Sequence, residues 1–162
     1  MLPAVVLAIP AYRFLILRDA DVDTEVPETL LSSTDPVRGG DNHVVVNTWQ
    51  DHVLVSVGLD VSDTPPHHAH REWEGETTTT LFMPGGDLYL DQPTLPSLGP
   101  WTVGTPGRYT VHVAWRGRDE VFEGLQALMD STVDEKAWQR GVHALAGVER
   151  YRVTLVRQGR IR

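Results

Sequence analysis

The sequence contains no cysteine among its 162 residues. That removes disulfides, thiolate zinc sites and thiol nucleophiles together. It also lacks a long apolar run: the stretch Leu2–Ile9 is broken at Pro3 and too short to span a bilayer. No positive n-region precedes that stretch and no A-x-A-like site follows it, so a secretory leader is not indicated. A cytoplasmic protein without membrane contact is the expectation. Positive charge is scarce. With 14 Lys and Arg against 22 Asp and Glu, the net charge is −8, which disfavours nucleic acid as a partner. Complete catalytic signatures are missing as well: no G-x-S-x-G elbow, no phosphate-cradling glycine loop and no dinucleotide fingerprint occurs. Ser32, Ser33, Ser56, Ser62, Ser97 and Ser131 stand in no triad context. A non-catalytic role, with no cofactor, is therefore expected.

What is present is alternation. In HVLVSVGLDV (His52–Val61), Val53, Val55, Val57, Leu59 and Val61 share one face. Tyr109, Val111, Val113 and Trp115 do so in RYTVHVAWR, and Tyr151, Val153 and Leu155 in ERYRVTLVR. Period-2 patterning of this kind is the mark of half-buried strands. Weaker strand signals cover Tyr12–Arg18, His43–Trp49, Glu76–Met83 and Asp87–Asp91, with the β-branched run Thr77–Thr80 suited to a pleated sheet. Turns are marked at Gly39-Gly40-Asp41, Pro65-Pro66, Pro84-Gly85-Gly86 and Pro106-Gly107. The length fits one domain, 1–162. The pattern predicts a mainly β fold, an antiparallel β-sandwich of about seven strands. Residues 119–147 depart from it. Their helical spacing (Val121, Phe122, Leu125, Leu128; then Ala137, Trp138, Val142, Leu145, Ala146) predicts a helical insert before the last strand, with Ser131 as a cap and Gly147 as a stop.

Candidate sites come from charge and histidine. Residues 1–91 hold 15 acidic and 4 basic residues, a balance of −11, and residues 92–162 hold 7 and 10, a balance of +3. The acidic half would meet a cationic partner. In DTPPHHAHREWEGE (Asp63–Glu76), His68, His70 and Glu74 reproduce the H-x-H-x-x-x-E core of the first cupin motif. Such an N/N/O set suits a divalent transition metal. The motif's flanking glycines are replaced by Ser62 and Leu81, and a solvated loop is the competing reading. The run Asp19, Asp21, Asp23, Glu25, Glu28 carries Thr24 and Leu30 where a calcium loop needs Gly and Glu, so it reads as an exposed charged loop. Among the tryptophans, Trp49 and Trp115 are expected in the core. Trp73 and Trp101 lie in loop contexts, where they either cover the sandwich or serve as contact points. If the last two strands pair around the insert, Arg108, Arg116, Arg150 and Arg152 share one outward face with His112. That face either grips an acidic partner or balances the chain's own acids.

Four stretches carry a family resemblance: YRFLILRDAD (Tyr12–Asp21), VLVSVGLDV with the following Pro65-Pro66 and Trp73-Glu74, GRYTVHVAWRGRDE (Gly107–Glu120), and ERYRVTLVR (Glu149–Arg157). The chain resembles a group of small actinobacterial β-sandwich proteins and, in its P-G-x-Y-x-V-x-V and E-x-Y-x-V-x-L strands, the ComJ-type nuclease inhibitor and immunity-protein family. The resemblance implies a sandwich and an acidic protein that blocks a nuclease by binding it. The insert 119–147 and the ending VTLVRQGRIR depart from the family pattern. On this reading Asp60, Asp63, Glu72, Trp73 and Glu74 bind a cationic protein. The alternatives are a cupin-like metal enzyme built on His68, His70 and Glu74, or a structural subunit docking through its helical insert.

Overall fold

Each strand buries alternate side chains and needs a second layer to cover that face. The structure, a computed structural model, describes residues 1–67, 72–131 and 134–159. Along the chain run β1 (Ala4–Ala8), β2 (Phe14–Asp19), a single-turn α1 (Glu28–Leu31), β3 (Val37–Gly39), β4 (His43–Asn47), β5 (Val55–Ser62), β6 (Gly75–Met83), β7 (Asp87–Gln92), β8 (Leu95–Thr102), β9 (Gly107–Arg116), α2 (Arg118–Asp130), α3 (Glu135–Ala144) and β10 (Arg150–Arg157). Two five-stranded sheets result, in the orders β1-β5-β10-β9-β6 and β3-β4-β2-β7-β8. The sandwich and its helical insert before the last strand are as expected. There are more strands than the anticipated seven, because β1, β3 and β8 carry weak alternation or proline. One pair is parallel, β10 with β5.

The main core lies between the sheets. Leu15, Leu17, Val44 and Leu90 of one sheet meet Val55, Val57, Leu59, Val111, Val113, Val153 and Leu155 of the other, with Tyr109 and Tyr151 fully buried among them. The inward faces read from alternation in β5, β9 and β10 are the buried ones. Two smaller clusters lie outside this core. Ile16, Val45 and Leu30 pack where the α1 segment covers the outward face of the second sheet. Val53, Val121 and Leu125 pack with Trp138, Val142 and Leu145, which docks the helical pair α2–α3 on one end of the sandwich.

Gly117 turns the chain from β9 into α2 at φ +78°, and a Cβ there would fall 2.0 Å from the Val148 carbonyl oxygen. Only glycine fits both demands. The second insert helix starts at Asp134, whose side chain accepts from the Ala137 N–H, and not at Ser131, which closes α2. Asp134 is the better placed acceptor because it directly precedes the first helical turn.

Candidate functional site: a strap and an acidic cleft

β5 and β6 run the same way but are separated in their sheet by β10 and β9. The connection between them, residues 63–74, therefore has to cross the sheet. Its described ends lie over the outward face. Pro65 and Pro66 border a cleft of about 400 Å³ with Glu76, Thr78 and His112. Trp73 borders another of about 360 Å³ with Gly58, Asp60, Arg150 and Arg152. His67, at the described edge of the histidine-rich stretch, thus belongs to the connection that leaves β5. His68 and His70 lie outside the described residues. Glu74 does not: its Oε1 accepts the Gly117 N–H at 2.6 Å, and its own N–H donates to the Trp115 carbonyl. Those bonds tie the strap to the start of α2. Among the described residues no three His, Asp or Glu side chains converge as metal ligands. Of the other expected contact residues, Asp63 and Glu72 are exposed, while Asp60 is partly buried and accepts the Val61 N–H.

The expected basic face forms, in modified shape. β9 and β10 pair antiparallel with Arg150 opposite Arg116, Arg152 opposite Ala114 and Thr154 opposite His112. Arg108 has the same parity but stands eight residues from Arg116, about 27 Å along a strand. It lies over Phe82 instead, 5.9 Å from the ring centroid. Arg150 avoids its like-charged partner by donating Nε–H to the Gly147 carbonyl. Among the described residues, Arg116, Arg150 and Arg152 form no ion pair. Asp60 and Glu76 share their face, so its field is mixed in sign.

The second sheet carries a different surface. Asp21, Asp23, Glu25, Glu28 and Asp41 line a cleft of about 750 Å³ together with Val22, Val26, Pro27, Leu30 and His43, and among the described residues no Lys or Arg lines it. Its walls are fixed from beneath. Asp19, expected in an exposed loop, is fully buried: its carboxylate accepts the N–H groups of Asp21, Gly85 and Gly86. Those donors offset the cost of desolvating a charge. Arg18, also buried, donates Nε–H to Asp91 at 2.6 Å and Nη1–H to the carbonyls of Asp19 and Val22. His43 Nε2–H donates to the Asp23 carbonyl at 2.8 Å. The cleft acids are thereby held on a rigid base, and the side chains of Asp21, Asp23, Glu25, Glu28 and Asp41 are exposed.

At the helical end lies a buried polar knot. Glu149, fully buried, accepts from the Trp49 N–H, Gln50 Nε2–H and the Tyr151 hydroxyl. Gln50 in turn accepts from the N–H groups of His52 and Val53. Fixing the Trp49 N–H in this way turns its ring outward, 43% exposed and not in the core. There it meets the edge of Phe122 at 6.2 Å and the guanidinium of Arg118 at 4.9 Å. Trp115 and Trp101 pack on the main core.

Burial first, then the charge and hydrogen bond of Glu149, push the Tyr151 hydroxyl well above its ordinary value of 10.0. Tyr109 is also raised by burial, with Arg157 opposing. Below pH 10 these hydroxyls are protonated in both the folded and the unfolded chain. As pH rises past 10 the unfolded chain releases its protons while the folded one holds them, so stability falls until the folded values are reached. The loss for Tyr151 should approach about 1.4 kcal/mol per pH unit. Urea titrations between pH 9 and 11 check this: the slope for Tyr151→Phe should be shallower by one tyrosine. Equal slopes would show that Tyr151 ionises freely in the native state.

No family model matches the chain, and no curated protein matches it in sequence. Solved structures do share its fold. ComJ from Bacillus subtilis, an inhibitor of the DNA-degrading activity of NucA, superposes with a TM-score of 0.61 at 9% identity, with 96% of each chain covered. The product of crocagin biosynthetic gene J superposes with a TM-score of 0.59 at 18% identity, also over 96% of each chain. At these identities the likeness is one of fold, so the chain has the ComJ-like two-sheet architecture across nearly its whole length.

Proposed function

We propose that this chain is a non-catalytic binding protein that inhibits a cationic protein, a nuclease in the first instance. The observation that carries the reading is the cleft of Asp21, Asp23, Glu25, Glu28 and Asp41, single in sign and held on a buried Asp19–Arg18–Asp91 base. Clustered carboxylates on a rigid surface steer a cationic partner and occupy the places where nucleic-acid phosphates would sit. The ComJ-like fold makes a nuclease the natural first partner to test, although fold alone assigns no function. The strap acids Asp60, Asp63 and Glu72 are the second choice for this face, because Arg150 and Arg152 stand beside Asp60.

The test is suppression of DNA degradation by host-extract nuclease on adding the purified chain. Replacing Asp23, Glu25 and Glu28 with Lys should weaken suppression about tenfold or more, near 1.4 kcal/mol of binding. Reversal of Asp60, Asp63 and Glu72 should cost less, and added salt should weaken the wild type. Full suppression by the cleft variant with loss in the strap variant would move the site to the strap. No suppression by wild type at any concentration would sink the inhibitor reading.

A further inference from the structure

Four strands end the two sheets: β1 and β6 in one, β3 and β8 in the other. Three of these edges are protected. β3 and β6 face each other across the side of the sandwich, so close that a Cβ on Gly39 would fall 1.7 Å from Thr79 Oγ1, and the Phe82 N–H donates to the Asp41 carbonyl. β8 contains Pro96 and Pro100, which lack donors, and shifts register against β7. Among the described residues β1 has no such device. Its sequence, AVVLA, holds neither proline nor bulge, and no charged side chain occurs from Leu2 to Tyr12.

The free side of β1 follows from its ladder. The Ser56 N–H donates to the Glu149 carbonyl, so the Ser56 backbone faces β10, and Ser56 stands opposite Leu7. Backbone groups alternate sides along a strand. Ala4, Val6 and Ala8 therefore bond to β5, and the N–H and C=O groups of Val5 and Leu7 point away from the sheet. Among the described residues, nothing else bonds to them. Their side chains are 77% and 52% exposed. A neutral, apolar edge of this kind is a template for strand pairing.

We propose that β1 pairs antiparallel with β1 of a second copy of this chain, about a two-fold axis through Val6. The near-palindromic sequence argues for self-pairing over a foreign strand. Centred on Val6, it sets Ala4 opposite Ala8 and Val5 opposite Leu7, small against small and large against large. The backbone groups of Val5 find their mates on Leu7 of the other copy, and the reverse. Two five-stranded sheets become one continuous sheet. Pro3 and Pro10 keep the contact short, so the dimer is weak and concentration-dependent. The net charge of −8 per copy opposes it at long range. Salt thus strengthens this contact, the opposite of its effect on a cationic partner.

The experiment is sedimentation of the purified chain from about 1 to about 200 µM, a range that brackets a weak short-strand contact. The expected result is a rise from monomer toward dimer, abolished by Leu7→Lys with the thermal midpoint unchanged. Because the chain has no cysteine, Val6→Cys gives a direct test of register. The paired Val6 residues form a non-hydrogen-bonded pair about 4.5 Å apart at Cα, within reach of a disulfide. Oxidised Val6→Cys should run as a covalent dimer, and Glu123→Cys on α2 should not. A wild type that stays monomeric at the top concentration overturns the proposal. So does a dimer that survives Leu7→Lys, or one in which Val6→Cys fails to cross-link. None of these outcomes bears on nuclease suppression, which is read separately.

Discussion

Glu149→Ala should cost about 3–5 kcal/mol of folding stability, the range seen when one member of a buried charged network is removed. The carboxylate is fully buried and takes three donors: the Trp49 N–H, Gln50 Nε2–H and the Tyr151 hydroxyl. Alanine removes the acceptor that all three share. Gln50 Nε2 keeps the Val53 carbonyl at 3.1 Å and the Tyr151 hydroxyl has the Asn47 carbonyl at 3.3 Å, which recovers part of the loss. For a chain of this size the midpoint should fall by roughly 6–20 °C. Thermal and urea unfolding followed by tryptophan fluorescence measure it. A loss below about 1 kcal/mol would mean that water enters the knot and satisfies the donors.

Arg18 and Asp91 should show the second large effect. Their side chains are 8% and 12% exposed, and the Nε–Oδ2 distance is 2.6 Å. Asp91→Leu leaves a guanidinium under the sheet without its counter-charge, and Arg18→Leu leaves the carboxylate. Each single change should cost about 3–5 kcal/mol. The double replacement should cost clearly less than the sum, because it removes both charges and keeps the volume. Additive losses would show that the two groups do not act as a pair. Arg18→Leu also frees the Asp19 and Val22 carbonyls, which hold the wall of the acidic cleft. Its effect on nuclease suppression should therefore exceed that of Asp91→Leu.

Both sites left traces in the sequence that alternation alone makes readable. Glu149 has the parity of Tyr151, Val153 and Leu155, and Asp19 that of Leu15 and Leu17. A carboxylate on an inward register is a sign of a buried network. Neither could be placed from sequence, because the donors come from afar. Gly85 and Gly86 are 66 and 67 residues from Asp19, and Gln50 is 99 from Glu149. Trp49 departs from its expected core position for the same reason, since a carboxylate 100 residues away holds its backbone N–H while the ring lies outside the core.

The sequence by itself determined the two-layer β architecture, the inward faces of β5, β9 and β10, and the helical insert. These follow from the period of apolar side chains, which each segment carries within itself. Only the tertiary structure decided which strands are neighbours. That set the parallel β5–β10 pair, the separation of β5 from β6 by two strands, and the place of β1 at the end of its sheet. It also divided the acidic half of the chain, sending Asp21–Glu28 to one sheet and Asp60–Glu76 to the other beside arginines. Pairing order depends on contacts between distant segments, and a local period has no information about which partner a strand will meet.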